Sequence, residues 1–222
     1  MKVSRIQEAE NHERILDVAT RLFRERGIDG IGVAELMKAA GLTHGGFYGH
    51  FKSKEYLVAQ ACARAVLRMR QNWTNVIDQA TGDPLEALAA TYLTPKHRDA
   101  TGRGCPMAAI GSEIARQGPQ VRRAFTDELR PFLDYLSRMV HGNSNSLRRQ
   151  KALATYAGLV GALIVSRAVD DPVLSNEILS AVATTMHTNE VDRTQSKTST
   201  AGSRTPASRA RTAKRPSRAR RY

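Results

Sequence analysis

Residues 41–57, GLTHGGFYGHFKSKEYL, are the most informative stretch of this chain of 222 residues. Gly41 is placed to end one short helix, and Thr43 is placed to cap the next, because glycine and threonine are favoured at those positions. The second of these helices contains three glycines, and each interior glycine costs a helix roughly 1 kcal/mol relative to alanine. A helix this weak is explained if its backbone has to approach a partner closely. The three glycines are Gly45, Gly46 and Gly49.

The side chains of the same stretch separate into donors and apolar anchors. Phe47 and Phe51 are expected to fix the short helix to a core. The remaining large side chains donate hydrogen bonds of the kind that reach phosphates and base edges. These donors are His44, Tyr48, His50 and Lys54.

The residues on either side predict longer helices. Upstream, residues from about 10 to 26 repeat apolar side chains at helical spacing and stop at Gly27, and a second helix follows over about 33–40. Downstream, Ser53 is a helix-capping residue that begins a helix running to about residue 79. At 1.5 Å per residue this helix would span about 39 Å, which is enough to join a small head to a second domain.

Together, residues 10–57 resemble the helix-turn-helix domain of the TetR family of bacterial repressors. The resemblance lies in the order of features: helix, glycine break, short helix, glycine turn, F-Y-x-H-F, then S-K-E opening a long helix. Gly32 departs from it by replacing the Ser or Thr that usually caps the second helix, and Gly49 stands where a side chain is common.

The resemblance implies which residues lie at a DNA surface. Tyr48, His50 and Lys54 would contact backbone phosphates. Thr43, His44 and Gly45 would face the groove. The full set implied by the family pattern is Thr43, His44, Gly45, Gly46, Tyr48, His50 and Lys54.

The rest of the chain also predicts helices, and no segment alternates convincingly like a strand. Asp83-Pro84 is a strong helix start, because a capping acid precedes a proline at the first helical position. Residues 95–104 read as a polar loop. The predicted fold is therefore all-α. Its expected divisions are a three-helix DNA-binding domain at 1–57, a helical ligand-binding and dimerisation domain at 58–187, and a disordered basic tail at 188–222.

Two helices near the end of the folded part, about 147–168 and 172–187, point to self-association. In the first helix, the residues from Ala152 to Ile164 are small or apolar on almost every face, which implies a second buried contact. In the TetR family the last two long helices pair with their twins in a four-helix dimer interface. The resemblance therefore implies a homodimer through these helices, with an inducer pocket among helices from about 58 to 168.

The formal charge of +13 belongs mainly to the tail. Residues 193–222 contain ten Lys or Arg and no acid, and removing those ten from +13 leaves +3 for the preceding residues. The tail composition lacks the apolar area needed to offset the entropy of ordering. Non-specific DNA contact is the favoured function of the tail, ahead of an inert solubilising extension or a site for another partner.

The remaining composition restricts the other functional classes. Cys62 and Cys105 are the only cysteines, which favours a reducing compartment over a disulfide scaffold. No apolar run reaches the roughly 20 residues of a membrane span, and no signal-peptide pattern begins the chain. A bacterial cytoplasmic protein with no membrane partner, associated with the nucleoid when bound to DNA, is expected. The six histidines are scattered, so no cofactor or metal site is expected.

Cys105 is a candidate sensor as well as a candidate packing residue. It follows Arg103-Gly104 at a predicted helix start, and both the helix N-terminus and the arginine would lower its pKa. Fast reaction with electrophiles would follow from a lowered pKa. Cys62, on the long helix, reads as core.

The sequence thus favours a ligand-responsive repressor that binds a palindromic DNA operator as a homodimer and is released by a small-molecule inducer. One alternative is a thiol-based redox or electrophile sensor with the same DNA-binding head, acting through Cys105. Another is a nucleoid-type DNA binder driven by the tail. An enzyme is disfavoured, because the chain has no nucleophile elbow, phosphate loop, useful carboxylate pair or metal cluster.

Overall fold

The computed structural model describes the backbone of residues 5–201 and the side chains of residues 5–186. Within that part of the chain all regular structure is helical, so the predicted all-α fold is confirmed. The chain divides into two units, residues 1–187 and 188–222. A short 3-10 turn at His44–Gly46 precedes α3. The helices are α1 (Arg5–Arg26), α2 (Val33–Ala39), α3 (Phe47–His50), α4 (Lys54–Asp78), α5 (Pro84–Tyr92), α6 (Pro95–Asp99), α7 (Pro106–Ile114), α8 (Pro119–Met139), α9 (Asn145–Ala168) and α10 (Pro172–Ala201).

Several helix boundaries follow directly from local chemistry. The Ser53 hydroxyl accepts a hydrogen bond from the backbone N–H of Tyr56 at 3.0 Å, and α4 begins at the next residue after Ser53. Asp83 caps α5 in the same way, accepting from the backbone N–H of Glu86 at 2.7 Å. Gly41 follows α2 with φ +72°, a left-handed conformation that ends helices and favours glycine.

The N-terminal helices share a core that rests on α4. One face of α1 is buried, and its exposed face is tied to α4 by ion pairs. Arg64 lies 2.7 Å from Glu13 and 2.9 Å from Asp17, and Arg68 lies 2.6 Å from Asp17. These pairs join α1 to the middle of α4, so they position the N-terminal head on the long helix.

The larger part of the core lies where α4 packs against α5 and α8, and where α9 packs against α8. Four aromatic rings meet there. The Trp73 ring centroid lies 4.7 Å from that of Tyr92 and 5.3 Å from that of Phe132, and Tyr156 of α9 stands 6.1 Å from Phe132. All four side chains are at least nine-tenths buried.

Some local predictions were wrong or incomplete. The polar loop predicted at residues 95–104 contains the helix α6, which Thr94 caps by accepting from the backbone N–H of His97 at 3.1 Å. Thr43 precedes the 3-10 turn but makes no capping hydrogen bond with its side chain. Helix α10 continues to Ala201, beyond the predicted end at residue 187. The rest of the predicted disordered tail, residues 202–222, lies outside the described residues.

No helix in the described part of the chain is both long enough and apolar enough to cross a membrane.

Candidate functional site

The recognition segment, residues 43–54, presents most of the predicted DNA-contacting residues on the surface. Thr43, His44 and Gly45 are exposed, and Tyr48 has 71% of its surface accessible. The other predicted contacts, Gly46, His50 and Lys54, are half-buried. The structure therefore brings the predicted set together on the short 3-10 turn, on α3 and at the start of α4.

Two phenylalanines hold this exposed segment in place. Phe47 is fully buried and Phe51 is 1% exposed, with their ring centroids 5.8 Å apart. The ring of His12, from α1, stacks on Phe51 at 4.4 Å. The segment is too short and too glycine-rich to be stable alone, so this anchoring gives it a defined conformation. The expected core role of both phenylalanines is confirmed.

Neither packing nor backbone conformation within the chain requires glycine at two positions of the recognition segment. A Cβ added at Gly45 or Gly49 would meet no atom within 4 Å, and neither residue has a positive φ. The backbone at these positions is therefore open to close approach from outside the chain. Such openness suits a surface that fits against a nucleic-acid backbone.

Cys105 is placed as predicted at the start of a helix, but the predicted lowering of its pKa is wrong. The residue is the N-cap of α7, and the backbone amides of Met107 and Ala108 do act to lower its pKa. Burial has the larger effect and raises the pKa, since the side chain is 1% exposed. Arg167 supplies the charge that favours the thiolate, whereas the predicted partner, Arg103, lies exposed. The sensor role of Cys105 stays a prediction.

His97 forms a neutral bridge beside Cys105. Its Nδ1 donates to the Tyr92 carbonyl at 2.7 Å, since a carbonyl only accepts, and its Nε2 accepts from the backbone N–H of Cys105 at 3.1 Å. Burial, together with the positive charge of Arg167, lowers the pKa of His97. A protonated Nε2 would point its own N–H at the backbone N–H of Cys105, and two donors cannot bond to each other. This arrangement therefore requires the neutral His97 ring.

Two hydrogen bonds, one buried and one half-buried, join the region around Cys105 to the N-terminal head. Arg24 of α1 donates through Nη1 to the carbonyl of Gly104 at 2.8 Å, and burial lowers the pKa of its guanidinium to about 10. At the other end of α7, the Glu113 carboxylate accepts from the backbone N–H of Ile28 at 2.6 Å. Helix α7 is thus attached to the head at both of its ends.

Sequence reasoning missed most of the polar residues around Cys105. Tyr92 and Tyr156 occupy apolar positions of their helices, so the periodicity assigns them to the core. Arg167 could have been noticed in the sequence, because it is the one basic residue in the last turn of α9 and follows a long apolar stretch. His97 stood in the segment wrongly read as a loop.

The described residues contain no group of three His, Cys, Asp or Glu side chains suited to hold a metal ion. Both cysteines are buried and free. The arrangement offers hydrogen-bond donors on the surface and a polar cluster inside.

Known proteins with related sequences and folds are regulators of transcription. A sequence model of the family described as "Bacterial regulatory proteins, tetR family" matches residues 15–61. The HTH-type transcriptional repressor NemR of Escherichia coli K12 is 26% identical over 165 residues, covering 70% of this chain and 83% of that protein. The HTH-type transcriptional regulator AcrR of Shigella flexneri is 37% identical over 83 residues, covering 37% of this chain and 39% of that protein.

The fold extends the likeness beyond the matched head. A crystal structure of E. coli NemR in its reduced form superposes with a TM-score of 0.66 at 22% identity, covering 79% of this chain and 94% of the other. The family pattern in the head, the related repressor spanning most of both chains and the shared helical architecture agree. The chain is a member of the TetR family of transcriptional regulators.

Proposed function

We propose that this protein is a homodimeric repressor that binds an inverted-repeat operator and is released by a small molecule. The observation that carries the proposal is the recognition segment, whose donors are exposed or half-buried while Phe47 and Phe51 are buried beneath them. A surface of this kind has no structural purpose within the chain. Its donors suit phosphates and base edges in a major groove.

The solvent exposure and the chemistry of the side chains support different roles for the predicted DNA-contacting residues. Tyr48 and Lys54 carry a hydroxyl and an ammonium that suit phosphate oxygens, and His50 lies beside them. His44 is exposed on the 3-10 turn, where Thr43 is also exposed and Gly45 leaves the backbone open. We assign the first group, Tyr48, His50 and Lys54, to phosphates and the second, Thr43, His44 and Gly45, to the groove.

The assignment of roles predicts two patterns of binding. Tyr48→Phe or Lys54→Ala should weaken binding by a similar factor on every sequence, because phosphate contacts carry no sequence information. His44→Ala should change the relative affinities for operator variants. Fluorescence anisotropy on a set of single-base operator variants measures both patterns. A uniform loss for His44→Ala, or altered base preference for Lys54→Ala, would contradict the assignment.

An apolar face on the last two helices supports the homodimer. On α9, Leu153, Ile164 and Val165 are 42%, 44% and 49% exposed, although the opposite side of the same helix is buried. On α10, Val173 and Leu174 are 67% and 42% exposed. Burial of these side chains against a second copy would remove apolar surface from water.

Charge placed on this face tests the dimer. Leu153→Glu with Ile164→Glu should convert the dimer to monomers in sedimentation velocity and should lower operator affinity. Ile6→Glu is the control, since Ile6 is 73% exposed on α1, outside the proposed interface. A double variant that remains dimeric would refute this interface.

The two hydrogen bonds at the ends of α7 support control of the head by the helical domain. Arg24 with Gly104 and Glu113 with Ile28 attach the head to the helix that begins at Cys105. A ligand that favours a different position of α7 would change the separation of the two heads in a dimer. A differential affinity of about 2.8 kcal/mol shifts operator occupancy roughly a hundredfold.

A further inference from the structure

Three buried donors near Cys105 lack hydrogen-bond partners. They are the hydroxyls of Tyr92 and Tyr156 and the Nη1 atom of Arg167, and none has a partner among the described residues. Tyr92 is 1% exposed and Tyr156 is 7% exposed. A buried donor without an acceptor is costly, so three such donors in one region require an explanation.

The three groups belong to one electrostatic cluster. The Cys105 sulfur is the group nearest to a hydrogen-bonding partner for both tyrosine hydroxyls, and the positive charge of Arg167 acts on Tyr92 and Cys105. Thiol sulfur is only a weak acceptor, so Cys105 cannot replace a proper partner for either hydroxyl. Asp99 is the acid whose charge reaches Arg167, but Asp99 is exposed and is paired with Arg98 at 2.8 Å. The cluster therefore has an excess of donors and positive charge.

Arg167 is held rigidly while its third nitrogen stays unpaired. Its Nε donates to the Arg98 carbonyl at 2.8 Å, and its Nη2 donates to the His97 carbonyl at 3.2 Å. The guanidinium also lines an open groove of about 450 Å³ that includes Ser166 and Ser175. The groove offers a route from solvent to the arginine.

The side chains packed around the donors are apolar, and their rings meet edge to face. Trp73 and Phe132 pack against the two tyrosines, and Met69 lies 3.9 Å from the sulfur of Cys105. Surroundings of this kind suit an aromatic or short aliphatic group. A molecule that carries two oxygen acceptors and one negative charge on such a group complements every feature of the cluster.

We propose that Tyr92, Tyr156 and Arg167 bind the carboxylate of a small apolar acid, and that this acid is the inducer. The second part rests on the proposed function as a ligand-released repressor. The carboxylate accepts from both hydroxyls and from Nη1, which leaves none of the three donors unpaired. Its apolar part lies against Trp73 and Phe132.

The same site has a direct connection to the head. Arg167 donates to the His97 carbonyl, and the His97 ring accepts from the backbone N–H of Cys105. Gly104, the preceding residue, accepts from Arg24 of α1. A ligand that draws Arg167 toward itself therefore acts on the residues that hold α7 to the head.

Calorimetric titration of the full-length protein with matched acids and amides tests the site. The probes are benzoate, cinnamate and hexanoate, each compared with its primary amide. At least one acid should bind at least tenfold more tightly than its amide. Tyr92→Phe and Tyr156→Phe should each weaken that acid about tenfold, since each removes one charge-assisted hydrogen bond and leaves the ring in place.

Two controls keep the result interpretable. Tyr135→Phe should leave binding unchanged, because the Tyr135 hydroxyl already bonds to Asp78 on the surface of α4. The unliganded Tyr92→Phe and Tyr156→Phe proteins should keep a Tm close to that of the wild type, since each hydroxyl lost has at most the weak Cys105 sulfur as an acceptor. A clear fall in their Tm would show that the hydroxyls are already paired and would overturn the proposal.

The remaining outcomes separate the site from the function. If no acid binds more tightly than its amide, or if both tyrosine variants bind it as well as wild type, the carboxylate site is wrong. If the acid binds as predicted but does not release operator DNA, the site stands and its role as inducer site fails. If the protein selects no DNA at all, the proposed function fails while the titration still decides the site.

Discussion

Replacement of Gly45 by alanine separates the stability of the head from its contact with DNA. A Cβ at this position meets no atom within 4 Å, so the methyl group causes no clash inside the chain. Alanine also lowers the conformational entropy of the unfolded chain. The free energy of unfolding should therefore stay constant or rise by up to about 1 kcal/mol. In the complex, the same methyl group would keep the backbone of the 3-10 turn away from DNA.

The size of the effect on binding follows from the twofold symmetry of the dimer. Loss of one hydrogen bond between a head and DNA weakens the binding free energy by about 1 kcal/mol, and a dimer on an inverted repeat places two heads on the DNA. The total of about 2 kcal/mol corresponds to roughly a thirtyfold rise in Kd. Urea unfolding and fluorescence anisotropy on the operator measure the two quantities independently.

The matched control is Gly82→Ala in the turn between α4 and α5. Gly82 also has no atom within 4 Å of an added Cβ, and it lies at the opposite end of the long helix α4 from the recognition segment. This variant should retain both stability and DNA affinity. If Gly45→Ala binds the operator as tightly as wild type, the recognition segment does not approach DNA at this residue and the reasoning is refuted.

Three further predictions concern the cysteines, His97 and the tail. Burial raises the pKa of Cys62 to about 12 and also raises the pKa of Cys105, so both thiols should react slowly with iodoacetamide until urea unfolds the protein. Fast labelling of Cys105 in the native protein would instead support the sensor hypothesis. Burial lowers the pKa of His97, so the free energy of unfolding should fall as the pH drops below about 6.5. Urea titrations at several pH values measure this dependence, and His97→Gln should make it weaker. Deletion of residues 193–222 should weaken binding to random DNA and reduce its salt dependence, because ten cations are removed; an unchanged salt slope would show that the tail makes no DNA contact.

The sequence predicted the helices best where a local signal sets the boundary. Ser53 and Asp83 each use their own side chain to cap the helix that follows, so three or four neighbouring residues contain the information. Thr94-Pro95 repeats the pattern of Asp83-Pro84, and the same rule applied there would have found α6. That error came from incomplete use of a signal that was present.

The buried polar cluster could not be predicted in the same way. Whether Cys105 has a raised or a lowered pKa depends on the solvent access of a helix start, and packing by distant residues such as Met69 and Tyr156 determines that access. Tyr92 and Tyr156 occupy core positions whether or not their hydroxyls find partners. The recognition segment was different, because its donors and anchors lie within one short run of sequence.

Selection of bound sequences from random duplex DNA by the full chain decides whether the protein is a dimeric operator-binding repressor. A dimeric repressor enriches an inverted repeat whose half-site centres lie about 34–36 Å apart or a multiple of that distance, bound by a dimer or by a pair of dimers. Enrichment of an asymmetric motif bound by a monomer, or enrichment of no motif, would contradict that function.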